Sequence, residues 1–426
     1  MTIKYSPDGD TLWTQWYDNT FYNGADAVTT DRSDNIIIAG YIWTDSTNSD
    51  MHIVKYDSDA NLLWTRTYGN GEEDVGESIY GVATDSKNDI IVTGKADYNL
   101  GDYLTLKYDS NGNLLWVRTY NGGWEDYAQD VIVDDSDNII VTGYSDSNIN
   151  WDWCTIKYSP DGDIIWIRRY DIAITDWAFG VTTDREGNVI VVGETHQLLP
   201  GTGGCSGMVV KYSSQGDTLW SKIFTDTLQY AEVARFVDVT TDVQGNIYLA
   251  GEYFRWIQGG QSWCDYYIAK CTSLGDTVWT KRCSYGGMNE PCGITLDEGG
   301  NIIVTGSTYP NPESCGETDY FTVKLQNAVS SIEAFPSVPD NFALYQNYPN
   351  PFNASTTLRY DIPEAALVKI AVYDLRARRV GVLVNEYKQP GAYEVVWNGA
   401  SFSSGIYFVR MTAGNYTTTE KMLLIK

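Results

Sequence analysis

The chain has 426 residues, 43% hydrophobic and 14% aromatic, with 15 Trp and 32 Tyr, which excludes a disordered acidic chain. Its 39 Gly follow no three-residue period, so collagen is excluded and a turn-rich β protein is indicated. A net charge of -27 opposes phosphate backbones and anionic membranes as partners, since like charges repel. The excess is uneven. Residues 326–426 carry 9 basic and 8 acidic side chains, leaving 20 basic and 48 acidic for residues 1–325.

The N-terminal run Thr2-Ile3-Lys4-Tyr5, then Ser6-Pro7-Asp8-Gly9-Asp10 and Thr11-Leu12-Trp13, returns at Lys55-Tyr56/Trp64, Lys107-Tyr108/Trp116, Lys157-Tyr158/Trp166 and Lys211-Tyr212/Trp220. Weaker copies lie at Lys270-Cys271/Trp279 and Lys324-Leu325. The lysines step by 51, 52, 50, 54, 59 and 54 residues, the mark of a repeat architecture. Met1 falls in mid-repeat with no charged n-region or apolar h-region behind it, which predicts either a misassigned gene start or an array that closes on itself.

One unit reads as four strands: Ser78–Asp85, Ile90–Gly94, Asp102–Tyr108 and Leu114–Tyr120, rich in β-branched and aromatic residues and bounded by turn formers. The hairpin between the third and fourth strands carries Gly9, Gly112, Gly162 or Gly216, where a tight turn favours positive φ. Asp59-Ala60-Asn61 breaks that pattern, and Asp59 or Asn61 is expected to take the unusual geometry. The first hairpin carries Asp/Asn/Gly clusters such as Thr30–Asn35, Asp134–Asn138 and Thr183–Asn188. These lack the ligand spacing of an EF-hand and read first as turns that bond their own backbone, with calcium as the one cofactor such clusters could hold.

Four antiparallel strands per unit of about 50 residues, without helical periodicity, predict an all-β fold whose first part is a β-propeller. Recurrent Trp13, Trp64, Trp116, Trp166, Trp220 and Trp279 are expected to pack between blades. Lysines seven times repeated suit structure better than catalysis. Asp and Lys five apart, as in Asp152/Lys157, point to opposite faces of a strand, so their partners are expected across strands or between blades, or the stem is buried with the ammonium at the rim. The strands fit seven blades with an incomplete N-terminal one. The alternative is a six-bladed ring in which Thr11–Tyr17 pairs with the last three strands.

The units Asp137–Gly143, Trp151–Tyr158 and Gly162–Trp166 resemble the bacterial β-propeller repeats called SBBP repeats, over nearly all of residues 1–325. That resemblance implies seven blades and no single activity. Cys271 and Leu325 depart from its tyrosine, and Leu198–Gly207 is irregular. Seven Cys form no Cys-x-x-Cys, and with two His structural zinc and redox motifs are not indicated. Six of them lie within residues 205–315, which permits a disulfide such as Cys283–Cys292, or unpaired and partly buried thiols.

Residues 326–341, with Pro336 and Pro339, read as an extended linker. Strands then follow at Thr356–Asp361, Leu367–Asp374, Val380–Leu383, Gly391–Trp397, Gly405–Thr412 and Thr418–Leu424, and predict a small β-sandwich with Tyr373, Trp397, Tyr407 and Val409 inward. The motifs Tyr345–Asn353, Val368–Asp374 and Ser404–Phe408, with the ending Lys421–Lys426, strongly resemble the C-terminal sorting domain of type IX secretion, over residues 342–426. The resemblance implies an immunoglobulin-like sandwich, partnership with the secretion machinery, and a destination outside the cell or on its outer surface. It also implies a precursor with a signal peptide, a second argument that Met1 is not the true start.

His52 and His196 have no recurring Ser or Cys partner, and no Gly-rich phosphate loop, basic-aromatic stripe or membrane-spanning apolar run is present. No catalytic, cofactor-binding or metal-binding residue is singled out. The expected function is an exported binding or display module for an extracellular glycan or protein. The alternative is a secreted hydrolase with its site in loops of one propeller face, Leu198–Gly207 and Gly251–Ser262 being the irregular ones.

Overall fold

The computed structural model describes residues 1–17, 23–43, 49–69, 77–96, 101–147, 150–172, 175–196, 205–224, 231–256, 262–283, 288–309, 319–326, 341–347, 349–363, 365–376, 378–388 and 391–425. Every named element among them is a strand. β1 (Thr2–Tyr5) and β2 (Thr11–Gln15) form a two-stranded sheet. Four-stranded antiparallel sheets follow in chain order. The first holds β3 (Asn23–Thr30), β4 (Ile36–Trp43), β5 (Ser49–Tyr56) and β6 (Leu62–Tyr68). The next holds β7 (Glu77–Thr84), β8 (Ile90–Ala96), β9 (Asp102–Tyr108) and β10 (Leu114–Tyr120). Then come β11 (Asp126–Val133), β12 (Ile139–Asp146), β13 (Trp151–Tyr158) and β14 (Ile164–Tyr170), and β15 (Asp176–Thr183), β16 (Val189–Thr195), β17 (Ser206–Tyr212) and β18 (Thr218–Phe224). β19 (Ala231–Thr241), β20 (Ile247–Trp256), β21 (Ser262–Cys271) and β22 (Thr277–Cys283) make the fifth. A three-stranded sheet of β23 (Met288–Leu296), β24 (Ile302–Tyr309) and β25 (Asp319–Leu325) ends the series. The second strands are β-branched runs buried on both faces, such as Ile90, Ile91 and Val92, so each sheet needs neighbours on both sides.

Those neighbours are the adjacent sheets, in a propeller-like arrangement. One core cluster joins Ile37, Ala39, Met51 and Ile53 to Ile90, Val92, Leu104 and Leu106, with Trp64 against it; the next joins Ile91 and Tyr103 to Val141 and Ile156, with Trp116 against it. The recurrent tryptophans thus pack between sheets, as expected. Cys271 and Leu325 are buried like the tyrosines they replace.

A buried ion pair recurs at the first hairpin. Asp31 accepts the N–H groups of Ser33 and Asn35 on Oδ1 and the Asn35 amide on Oδ2. Lys55 Nζ reaches the same carboxylate at 2.9 Å, with Lys55 3% exposed. The pairs Lys107–Asp85 at 2.8 Å, Lys157–Asp134 at 2.8 Å, Lys211–Asp184 at 2.7 Å and Lys324–Asp297 at 2.9 Å repeat it, and Lys270–Asp242 is looser at 3.9 Å. The expected cross-strand pairing is found. The ammonium, however, is buried rather than at the rim in the first four of these pairs, because a carboxylate lies within reach inside. Asp152, five residues before Lys157, instead meets Arg169 at 3.3 Å.

The first four ammonium groups also reach the next sheet. Lys55 donates to Ser110 O, Lys107 to Pro160 O, Lys157 to Ser214 O and Lys211 to Ser273 O, at 3.2–3.5 Å. Trp64, Trp116 and Trp166 donate Nε1–H to the same carbonyls as the lysines beside them. Arg66 donates to Gly112 O and Asn111 O, and Arg118 to Gly162 O and Asp161 O. The Lys, Trp and Arg of one sheet therefore clamp the hairpin of the following one. Lys4 clamps Ser58 O at 3.2 Å, and Lys324 reaches Pro7 O at 3.1 Å, across 317 residues of chain. β2 pairs with β1 in register Lys4↔Trp13.

One further expectation is corrected, and one pair of alternatives is decided. In the Asp57–Asn61 hairpin Ala60 itself takes φ 67°, because it occupies the glycine's place while Asp57 fixes Asp59 and Asn61 through their N–H groups. Cys283 and Cys292 are unpaired thiols: Cys283 ends β22, whereas Cys292 sits on β23 in another sheet with Sγ against Glu290 O.

Most of the expected linker lies outside the described residues. Beyond it, β26 (Ala343–Leu344), β27 (Ser355–Ile362) and β30 (Gly391–Asn398) form one sheet. β28 (Ala366–Asp374), β29 (Arg379–Lys388), β31 (Gly405–Ala413) and β32 (Tyr416–Leu424) form another, and both feed one core. Trp397, Tyr407 and Val409 are buried there as expected. Tyr373 is half-buried and faces away, under the Arg410 guanidinium, because Val372 takes the inward place in the two-residue period. The Pro349–Asn353 stretch is tied to the last strand: Phe352 N–H donates to Leu423 O, Ile425 N–H to Phe352 O, and Phe352 packs on Trp397 at 5.4 Å.

Two stability outcomes follow from the turns and the clamp. Ala60→Gly should raise stability by about 1 kcal/mol, since a left-handed backbone penalises a side chain by that order; calorimetry showing a loss would contradict the turn assignment. Lys157→Met should cost about 3 kcal/mol by stranding Asp134, and adding Asp134→Asn, which removes the charge but keeps an acceptor for the turn N–H groups, should recover part of it.

Candidate functional site

The first strands of successive sheets contact one another, β3 with β7, β7 with β11, β11 with β15, β15 with β19 and β19 with β23, and so form the inner wall. Each carries a bulge, at Asp26, Tyr80, Gln129, Phe179, Val237 and Cys292. Opposite lies a glycine of the second strand. A Cβ on Gly143 would stand 1.9 Å from Tyr127 O, on Gly193 2.0 Å from Trp177 O and on Gly251 2.4 Å from Arg235 O. Only glycine lets the two backbones approach so closely.

The residue after that glycine varies among the sheets: Tyr41, Lys95, Tyr144, Glu194, Glu252 and Ser307, opposite Gly24, Ser78, Tyr127, Trp177, Arg235 and Glu290. These pairs lie at the far end of the strands from the Lys–Asp clamp and form one mouth of the inner wall. Lys95 Nζ donates to Tyr127 Oη at 2.9 Å and lies 4.3 Å from its ring. Tyr127 stacks on Tyr144 at 5.0 Å, and Tyr144 meets Trp177 at 5.6 Å. Arg235 covers Phe179 at 5.4 Å and pairs with Glu252 at 2.7 Å. Burial raises the Glu252 carboxyl against the opposing pull of Arg235, and raises the Tyr144 hydroxyl. Half-buried aromatic faces beside fixed charges suit a ligand with both apolar faces and polar edges.

Deeper on the same wall, Asp130 and Asp238 follow their bulges. Asp130 accepts N–H from Val131 and from Val181 of the next sheet; Asp238 accepts from Val239 and from Ile294 of the next. Both are enclosed by protein yet reached by water. Burial holds both carboxyls above their ordinary range, and the Asp130 charge pushes Asp238 further. Their oxygens serve as staples between inner strands.

No site residue was singled out from sequence. Leu198–Gly204 and residues 257–261 of the expected irregular loops lie outside the described residues. His52 is buried, its Nδ1 3.0 Å from Thr67 Oγ1, and burial lowers its pKa. His196, by contrast, sits at the mouth, 3.3 Å from Glu194 Oε1 and edge-on to Trp177 at 5.5 Å. The readable signal was a position that varies between units, immediately after the second-strand glycine, together with the first-strand residue opposite it.

Residues 346–426 match the family described as the secretion system C-terminal sorting domain. The protein is exported by type IX secretion, to the cell surface or beyond it. An uncharacterised WD repeat-containing protein of Acanthamoeba polyphaga mimivirus is 25% identical over 342 residues, which span 72% of this chain and 19% of that protein. PorZ, an essential surface component of the type IX secretion system of Porphyromonas gingivalis, aligns at 11% identity and TM-score 0.36, over 98% of this chain and 61% of PorZ. A family 25 ulvan lyase aligns at 11% identity and TM-score 0.45, over 85% of this chain and 91% of that one. No helix among the described residues is long and apolar enough to cross a membrane.

The inner carboxyls and the hairpin carboxyls respond oppositely to pH. Asp130 and Asp238 have raised folded pKa values, so their stabilising effect is full below the ordinary 3.8 and is lost as pH climbs through the folded values. At Asp31, Asp134 and Asp184 burial opposes ionisation, but the lysine and turn hydrogen bonds outweigh it and hold the pKa low. Their contribution is present above 3.8 and is lost as pH falls through the folded values. Asp130→Asn/Asp238→Asn should flatten the decline in melting temperature toward neutral pH and leave the acid limb unchanged; an unaltered neutral limb would refute the assignment.

Proposed function

We propose that residues 1–325 form a seven-bladed propeller of SBBP type, residues 326–341 a linker and residues 342–426 an immunoglobulin-like sorting domain. On this reading the propeller is a binding or display module outside the cell. The Lys324–Pro7 contact supports seven positions, since it repeats between the last and first sheets the clamp that joins every other pair tied by such a contact. Tyr407 Oη–H donating to Ser403 O supports the immunoglobulin-like reading, as a tyrosine corner does.

The observation that carries the function is the contrast within each unit: clamp residues repeat, while the post-glycine residue varies among Tyr, Lys, Glu and Ser and the first-strand residue opposite it differs in every sheet. A structural position repeats with its unit. The mouth they form, with Tyr127, Tyr144 and Trp177 beside Lys95, Glu194, Arg235 and Glu252, fits a glycan, whose sugar rings offer apolar faces for stacking and hydroxyls for charged groups. A protein ligand is the second occupant. The secreted hydrolase is the less supported reading, because Asp130 and Asp238 accept backbone N–H groups and Glu252 is paired with Arg235.

Purified protein on glycan and protein arrays, beside generic glycosidase and peptidase substrates, should capture a ligand without turnover. Trp177→Ala and Tyr144→Ala should each weaken capture about tenfold, the worth of one aromatic contact of about 1.5 kcal/mol. Turnover abolished by a single carboxylate substitution would overturn the binding reading. A chain lacking residues 342–426 should stay inside the cell; wild-type surface levels of that chain would contradict the role of the sorting domain.

A further inference from the structure

Glu194 and His196 stand two residues apart at the end of β16, so the strand period sets both on one face. The β16–β17 register runs Glu194↔Gly207 and Thr195↔Ser206. Continued by one step, it sets Cys205 opposite His196. One donor atom from each of Glu194, His196 and Cys205 lies within 4.8 Å of the other two. Carboxylate, imidazole and thiol together are a donor set for zinc and its first-row neighbours, and are poorly matched to calcium or magnesium.

The surroundings hold these groups in place. The Glu194 carbonyl accepts Trp153 Nε1–H at 3.2 Å, and the His196 backbone N–H donates to Thr175 O at 2.8 Å. Trp177 meets the imidazole edge-on. Arg235, whose charge also acts on Glu194, makes its direct ion pair with Glu252. Two donors on a tetrahedral ion at about 2.0–2.1 Å stand about 3.3 Å apart, which is the present separation of His196 Nε2 and Glu194 Oε1. An ordinary hydrogen bond spans the same distance, so spectroscopy decides the matter.

We propose that Glu194, His196 and Cys205 form a three-ligand site for a divalent zinc-class ion at the mouth. The His196 side chain is 40% exposed, which leaves a coordination position open to water or to a ligand's oxygen. On binding, Cys205 loses its proton to solvent and bonds as thiolate, His196 bonds through Nε2 with its proton on Nδ1, and Glu194 bonds as carboxylate. The site does not depend on the glycan reading, and neither fails with the other.

Cobalt(II) is the probe, added to the chelator-treated full chain. The expected result is one tightly held ion per chain with tetrahedral d–d absorption and a thiolate-to-cobalt charge-transfer band, both displaced by zinc. Cys205→Ser should remove the charge-transfer band while leaving the metal-free melting temperature unchanged, and His196→Ala should weaken cobalt binding by at least about tenfold, since even supporting residues cost that much. If Cys205→Ser melts early, Glu194→Gln takes its place, with weakened binding and the band retained. No charge-transfer band in the unmodified chain, the same band in Cys205→Ser, or unchanged affinity in Glu194→Gln would overturn the site.

Discussion

A lysine ammonium taken out of water and shared between a turn carboxylate and the next sheet's carbonyl is the constraint on which the repeat region rests. An ion so buried costs several kcal/mol in lost hydration, and only well-placed partners offset that. Asp31 and its counterparts are well placed because the turn's own N–H groups have already fixed the carboxylate. The ammonium then tolerates one alignment of neighbouring sheets, the one that brings a hairpin carbonyl within reach. Apolar packing of tryptophan and β-branched residues drives the sheets together without direction. The clamp selects the register.

That division explains where function can vary. One end of each strand set is committed to the clamp, and the glycine against a first-strand carbonyl two residues before the bulge fixes the backbone spacing near the other end. The next residue is held by the same backbone, yet its side chain is released from any repeated contact. A tyrosine, a lysine, a glutamate or a serine can stand there without altering the sheet, which turns the inner mouth into a rigid frame with interchangeable groups.

Much of this was readable in the sequence. Periodic Lys-Tyr and Leu-Trp pairs, with glycine and Asx turns between β-branched runs, gave the strand bounds of the unit at residues 78–120 within a residue or two, and β9 and β10 to the residue, whereas β29 runs five residues beyond the expected Leu383. The proline-rich stretch and the basic-apolar ending of the C-terminal part were legible because the fold joins them at Phe352 and Leu423. The lysine's partner was not. Asp31 and Lys55 lie 24 positions apart, and the nearer Asp50 distracts from it. The mouth was hidden for the opposite reason: a search for repeats discards what fails to repeat. His196 and Cys205 meet only through the β16–β17 register, which no spacing rule reveals.

The central claim is that repeated residues hold the sheets while the non-repeating mouth does the binding. A paired scan tests it most directly: in each sheet the clamp lysine and the post-glycine residue are substituted separately, and melting temperature and ligand capture are read for every variant. The account predicts that clamp variants lose stability in sheet after sheet, and that mouth variants lose capture at an unchanged melting temperature. Mouth variants that unfold the protein yet bind normally once folded, or clamp variants with full stability, would contradict it.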